Sequence, residues 1–398
     1  MRRRHDREAR VNRRLIFPLA MIGAILATQA VMAIALWVPD AARIGYPESG
    51  QEIPRSQVIT GSAWMAPDSE AVTAIEVSAT PADGGPSLTV PAERFVAMDR
   101  GKPLFSLHWW SARMEFPTRG EWVLRAKATA ADGRTVESGP KRVVVGEAPT
   151  RTFVPWSGLH VATIAVCLAA IAAFGVASFR GGEAFVRRAA PWYTALALGN
   201  EIAWQFYWFF SGSWSIHDNL YTHMCGIAVL LVPVAMAMEP GKARDRLSEL
   251  LYFWGVGGAI QALIFPDIGA HGFPTYRFFT FFLSHTLIIA GSLSLATSRI
   301  AKITIGSFLR MLLISNLIMI PIWFWDRLIS LAPPYSIANY FLLGYAWPPG
   351  SVVDLFAATF GPSPWYILGF ELMGLGVFGL LWVPWAVGRR LTIRKSAS

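Results

Sequence analysis

Arg277-Phe278-Phe279-Thr280-Phe281-Phe282-Leu283-Ser284-His285-Thr286-Leu287-Ile288-Ile289-Ala290-Gly291-Ser292-Leu293-Ser294-Leu295-Ala296-Thr297 has one cation, at its first position, no carboxylate and one histidine. An apolar stretch of about 20 residues is what an α-helix needs to cross the hydrocarbon of a bilayer. An ionisable side chain inside such a segment is costly and points to function. The same pattern recurs at 219–238, where Tyr221-Thr222-His223-Met224-Cys225-Gly226 sets a histidine and a thiol into an apolar run. Six more apolar runs, at 15–38, 156–179, 190–211, 247–265, 304–325 and 364–387, complete the set. The expected fold is a membrane all-α helical bundle of about eight transmembrane helices.

Composition agrees. Hydrophobic residues make up 54% of the 398 and charged residues only 15%, less charge than soluble domains carry. The net charge of +9 comes from Lys and Arg in short tracts beside the apolar runs. That is the positive-inside arrangement, so membrane lipids are the expected partners and nucleic acid is not. Both cysteines, Cys167 and Cys225, lie in apolar segments, which leaves no disulfide framework for an exported part. No metal and no cofactor are assigned.

Residues 1–39 read as a basic cytoplasmic tail, Arg2-Arg3-Arg4 through Arg13-Arg14, and a first transmembrane helix. Small residues in it (Ala27, Ala30, Ala33, Ala35) offer cleavage sites, but the run exceeds a signal-peptide core and retention is expected. Residues 40–150 change character. Alternating segments at 58–65, 72–80, 105–116, 121–130 and 142–145 are separated by turn signals such as Asp83-Gly84-Gly85 and Asp132-Gly133. They predict an antiparallel β-sandwich inserted before a seven-helix membrane domain, 151–398. Gly61-Ser62-Ala63-Trp64, Ile75-Glu76-Val77-Ser78, Trp109-Trp110 and Gly120-Glu121-Trp122-Val123-Leu124-Arg125-Ala126 resemble the immunoglobulin-like dimerisation domain of sulfite-oxidase-type molybdenum enzymes. The resemblance implies a fold and a protein contact, not molybdenum chemistry, because the cofactor-binding domain of those enzymes is absent. His108, beside Trp109, reads as a packed strand histidine.

With the sandwich outside, the loops at 180–188, 242–246 and 299–302 and the tail at 389–395 fall in the cytoplasm, and all are basic. The expected setting is a bacterial inner membrane with both termini cytoplasmic and an extracytoplasmic sandwich. The long outer connection, 326–362, holds Pro333-Pro334, Tyr345-Ala346-Trp347 and Pro348-Pro349-Gly350. Its prolines forbid a continuous helix. It reads either as a lid over the bundle or as a plain interfacial loop.

On this topology Cys225 and His285 lie about six and eight residues below the outer boundary, on the order of 10 Å down. Glu371, Gln205 and Gln261 reach similar depths, and Glu201 and Asn316 lie nearer the midplane. His223 and Cys225 are expected about 200° apart on one helix, so that they do not face the same point. A buried thiol reacts only if a base takes its proton, which suits His285, with Glu371 or Asn316 to orient the ring. The residues alone equally allow a free cysteine that only packs and a histidine that only bonds between helices. Cys167, in an Ala-rich span, reads as packing.

Leu250-Leu251-Tyr252-Phe253-Trp254-Gly255, Gly258-Ala259-Ile260-Gln261-Ala262-Leu263, Pro266-Asp267-Ile268-Gly269, Tyr276-Arg277-Phe278-Phe279, Phe282-Leu283-Ser284-His285 and Pro364-Trp365-Tyr366 resemble the YwaF-like family of integral membrane proteins. Its eukaryotic branch is transmembrane protein 164. The likeness covers most of 194–384. That branch is regarded as a cysteine-dependent acyltransferase moving fatty acyl chains onto lysophospholipids, which implies Cys225 as acyl-accepting nucleophile and His285 as its base. The chain departs from the pattern at Tyr221, where the family leads one to expect proline.

Three readings follow. The leading one is a lipid acyltransferase, with Gln261 or Asn316 stabilising the oxyanion, Arg277 holding a lipid phosphate, and Gln205, Glu201 and His223 flanking the substrate. The second is an electron-transfer subunit with His223 and His285 as axial ligands of a haem. The third is a scaffold or sensor whose sandwich binds an extracytoplasmic protein.

Overall fold

The computed structural model describes residues 2–67, 71–99, 102–268, 271–344 and 352–397, with side chains outside 2–12, 95–107 and 389–397. Three strands come first: β1 (Ala41–Tyr46), β2 (Glu52–Pro54) and β3 (Ser56–Trp64). β4 (Val72–Pro81), β5 (Leu88–Pro91), β6 (Glu93–Asp99) and β7 (Lys102–Glu115) follow. β8 (Gly120–Ala130), β9 (Thr135–Glu137) and β10 (Lys141–Gly146) close the set. One sheet runs β1-β3-β7-β6 and the other β2-β10-β8-β4-β5, with β9 on β8. The alternation that predicted the long strands is the burial pattern. Trp122, Leu124, Ala126, Ala128 and Ala130 of β8 face inward to meet Ile59, Trp110 and Met114 of the opposite sheet. The sandwich is not wholly antiparallel, because β2 joins β10 in parallel. The strands that alternation did not reveal are mostly short or at sheet edges.

The bundle comprises α1 (Arg2–Ala35), α2 (Gly158–Phe210), α3 (Met224–Ala237), α4 (Lys242–Leu251) and α5 (Gly257–Ile264), then α6 (Tyr276–Thr297), α7 (Ile305–Ile329), α8 (Val352–Phe360) and α9 (Ile367–Ala397). A π-type turn, Tyr252–Val256, makes α4 and α5 continuous. Among the described residues six helices are long and apolar enough to cross a membrane, and the shorter α3 is apolar as well. The chain is an integral membrane protein.

The runs at 156–179 and 190–211 form one helix in sequence but not in space. A straight helix of 53 residues would reach about 80 Å, far beyond a bilayer. At Gly182 the backbone leaves the helical region (φ 56°, ψ −152°), a conformation that glycine adopts without strain. The two arms then lie along α6 in opposite directions. Ser178 meets Thr297 and His160 stacks near Phe282 on the first arm, whereas Tyr193 donates to the Leu287 carbonyl and Asn200 to that of Thr280 on the second.

Between Phe210 and Met224 the chain forms a loop held from three sides. Gln205 donates to the Asn219 carbonyl (3.1 Å) and accepts from Trp214 Nε1 (2.6 Å), and Gln29 of α1 donates to the same carbonyl (2.8 Å). Tyr340 donates to the Ile216 carbonyl (2.8 Å) and accepts from the Leu220 amide (2.9 Å). The sandwich closes the third side, with Trp109 Nε1 3.2 Å and His108 Nε2 3.4 Å from the Asp218 carboxylate. His108 therefore sits between domains and not merely in a strand. Parts of the outer connection fold back onto the bundle, where Tyr340 and Phe341 are buried. Tyr345-Ala346-Trp347 and Pro348-Pro349-Gly350, on which the lid expectation partly rested, lie outside the described residues.

Candidate functional site

A cavity of about 990 Å³ opens inside the bundle, walled by α2, α3, α5, α6, α7 and α9 and touched by Phe341, Leu342 and Val352. Its size is in the upper range of small-molecule sites, and its wall is mainly apolar. Of the nine residues singled out from the sequence, seven lie on this wall: Glu201, His223, Cys225, Gln261, His285, Asn316 and Glu371. Gln205 does not, being spent on the 211–223 loop. Arg277 does not either. Its guanidinium lies 4.6 Å over the Trp208 ring and donates to the Asp267 carbonyl at 2.7 Å, so it secures a loop and does not face the cavity.

Cys225 was expected well inside a helix beginning near 219. The helix begins instead at Met224, with His223 as its N-cap in extended conformation (φ −82°, ψ 159°). The 211–223 clamps keep the preceding residues out of the helix. His223 and Cys225 are thus not two positions on one helical face, and both reach the same cavity. The ring of His223 makes no cap bond. The first intrahelical bond runs from the Ile227 amide to the His223 carbonyl, so the Met224, Cys225 and Gly226 amides have no acceptor within the helix. Across from the thiol is Gly258: a Cβ there would stand 3.3 Å from Cys225 Sγ, so the glycine leaves the sulfur its room.

His285 is fixed by its own helix. Nδ1 is 2.8 Å from the Phe281 carbonyl, and the two rings lie 4.3 Å apart, centroid to centroid. A carbonyl only accepts, so Nδ1 carries the hydrogen and Nε2 is left to take a proton. The orienting group is therefore the main chain, and neither Glu371 nor Asn316 as expected. Those two bind each other, Asn316 Nδ2 to Glu371 Oε2 at 3.1 Å, bridging α7 and α9. Gln261 returns its amide to the Gly257 carbonyl at 2.9 Å, leaving its own oxygen uncommitted by that bond.

Glu201 is buried on the second arm of α2. Its carboxylate accepts from Tyr221 (3.0 Å) and from Ser284 (2.5 Å), the residue beside His285. The three side chains tie together the elements that carry Cys225 and His285. Sequence reading missed Ser284 and Tyr221 as partners. The available signal was Thr280 and Ser284, four apart on the same face of an apolar helix. The departure at Tyr221 has its reason here: a proline would supply no hydroxyl to Glu201.

Among the described residues the wall carries three carboxylates, Glu201, Asp267 and Glu371, and neither lysine nor arginine. An anionic group gains nothing by entering, which removes the phosphate-holding role from the cavity interior. The two histidines also differ as haem ligands. His285, with Nδ1 bound to a carbonyl, presents Nε2 as an axial ligand would. His223 accepts the Phe341 amide on Nδ1 (3.2 Å), which puts its hydrogen on Nε2 and leaves no lone pair there for iron. As a pair they do not fit a bis-histidine haem. Among the described residues no group of three or more His, Cys, Asp or Glu is placed to hold a metal ion.

Cys167 contrasts with Cys225. It is 6% exposed, inside the first arm of α2 and against α6, away from the cavity.

The TMEM164 family model matches residues 152–382, more than half of the chain. No curated protein matches the sequence. Among solved structures, CopC from Methylosinus trichosporium OB3b is 14% identical, with a TM-score of 0.19, over 27% of this chain and 96% of that one. Fibronectin(III)-like modules of Clostridium thermocellum CbhA are 20% identical, with a TM-score of 0.17, over 26% of this chain and 93% of theirs.

Proposed function

The chain belongs to the TMEM164 family, and on that premise we propose that it is a membrane-embedded, cysteine-dependent acyltransferase acting on phospholipids or lysophospholipids. The observation that carries the reading is that Cys225 and His285 share the wall of one large apolar cavity inside a membrane bundle. His285 Nε2 takes the proton from Cys225 Sγ. The sulfur attacks the ester carbonyl of a donor lipid, and the C–O bond breaks. The histidine returns the proton to the departing lysolipid alkoxide. In the second half His285 takes the proton of an acceptor hydroxyl, whose oxygen attacks the thioester. The C–S bond breaks and the proton returns to the thiol.

The amides of the first turn of α3, which have no acceptor within the helix, lie next to the attacking sulfur and are suited to the oxyanion. They replace Gln261 and Asn316 in that role. An apolar cavity slows hydrolysis of the thioester. A wall without Lys or Arg among the described residues fits entry by the acyl ester while the phosphate stays outside. We further assign the sandwich to the extracytoplasmic side of a bacterial inner membrane, with eight crossings and cytoplasmic termini. In support, the two arms of α2 lie antiparallel, and Arg187, Arg244, Arg246 and Arg310 gather at the end away from the sandwich.

Intact mass spectrometry of protein purified from its own membrane, before and after hydroxylamine, tests the reading. A hydroxylamine-labile adduct of fatty-acyl mass is expected in the native chain and in Cys167→Ala, and not in Cys225→Ala or His285→Ala. A native chain that stays bare with donor lipid supplied and acceptor withheld overturns it.

A further inference from the structure

Two of the helices that line the cavity, α7 and α9, also carry exposed apolar faces. Only 22% of the apolar window of α7 and 11% of that of α9 are buried, against 56% for α6, so these two helices separate the cavity from lipid. On α7, Leu312, Ser315 and Met319 face the cavity, while Leu313, Leu317 and Ile320 are exposed. At about 100° per residue, Asn316 falls on the border between those faces. On α9, Phe370, Gly374 and Val377 face inward and Leu368, Leu372 and Leu375 outward, and Glu371 falls on the corresponding border. The two border residues meet at 3.1 Å. Closer to the other end of the bundle the helices touch again through the rings of Phe308 and Trp382, 6.4 Å apart.

We propose that the seam between α7 and α9 is a lateral gate through which an acyl chain of a bilayer lipid reaches the cavity, with Asn316–Glu371 as its latch. In naming an acyl chain as the occupant, the proposal rests on the acyltransferase reading. Apolar side chains of matching shape would seal a lipid-facing seam without placing a carboxylate there. An amide–carboxylate bond between helices is instead a modest, remakeable contact, suited to opening without loss of the fold. An acyl chain entering this way meets a mainly apolar wall that also carries Cys225.

Cys225 itself reports on the gate. In the Cys167→Ala chain reconstituted in proteoliposomes, its labelling is timed with a long-chain N-alkylmaleimide dissolved in the bilayer and with a charged, water-soluble methanethiosulfonate. Glu371→Ala is expected to speed the bilayer-borne reaction roughly fivefold, as for loss of one interhelical hydrogen bond. Asn316→Trp, which fills the seam, is expected to slow it, and Glu371→Gln, which keeps an acceptor for Asn316, to match the parent. The water-soluble reagent should be indifferent to all three. The gate is overturned if the bilayer reagent never modifies Cys225, if Glu371→Ala and Asn316→Trp leave its rate unchanged, or if both reagents change in parallel. Labelling requires no acyl transfer, so failure of the acyltransferase reading shows separately, as a missing hydroxylamine-labile adduct.

Discussion

The two ends of the bundle treat buried polar groups differently. Away from the sandwich, acidic side chains meet guanidinium groups. Arg187 binds Glu239 with both terminal nitrogens (3.0 and 2.8 Å) and Glu183 with Nε (2.8 Å), Arg244 binds Glu183 (2.9 Å), and Glu249 accepts from Arg246 and Arg310. Toward the sandwich, Glu201 is held by two hydroxyls, Glu371 by one amide and His285 by a carbonyl. Charge matched with charge locks the helices and leaves little for a ligand. Neutral partners satisfy some lone pairs and leave the rest directed at a cavity. The first arrangement holds helices together, and the second leaves polar atoms open to a ligand.

The largest effect should come from the reactive end. Cys225→Ala is expected to abolish acyl transfer in a lysolipid acylation assay, and His285→Ala to lower it at least about a hundredfold, with the thermal midpoint of both nearly unchanged. The opposite result, lost stability with activity per folded molecule intact, is expected of Arg244→Ala. It removes a buried guanidinium and one of the two partners of Glu183, which is 37% exposed and keeps Arg187, so the cost in a denaturation series should be about 1 kcal/mol, well below that of a fully buried pair. Similar in stability is Ser284→Ala, which removes one hydroxyl from Glu201. About 1 kcal/mol of stability and a several-fold loss of turnover are expected, both milder than in Glu201→Ala, which strands Ser284 and Tyr221 together.

The smallest effect sharpens the contrast from the domain contact. Burial pushes the His217 imidazole down to about 3 and holds His108 well below its ordinary value. Each folded imidazole binds fewer protons than its unfolded form between the folded value and about 6.5. Their contribution is complete above about 6.5 and is lost as pH falls toward 3. Burial also pushes the neighbouring Asp218 carboxyl up to about 7, which acts in the opposite sense. Thermal melts should therefore weaken on acidification by less than two histidines would give, and His217→Gln should flatten that slope further without moving the neutral-pH midpoint much.

Much of this architecture was legible along the chain. A helix crossing lipid must be apolar over its length, and a half-buried strand must alternate, so the membrane runs and the long strands β3, β4, β7, β8 and β10 announced themselves. Short strands such as β2 and β9 carry too few residues for a period to show, and β1 hides in a run buried at almost every position. Matching depth also singled out six residues that line one cavity, Cys225, His285, Glu371, Gln261, Glu201 and Asn316. It failed for Gln205, because depth says nothing about which way a side chain turns.

By itself, the sequence determined that this is a membrane protein with a β-rich insertion and which polar groups pay for burial in it. Only the tertiary structure decided that α3 starts at Met224, that a main-chain carbonyl orients His285, and that Glu371 faces Asn316. The reason is physical. Hydrophobic periodicity is written in consecutive residues, whereas a helix start and a hydrogen-bond partner are settled by distant groups. Here Tyr340 and Gln29 hold the 211–223 loop out of helix from 120 and 190 residues away.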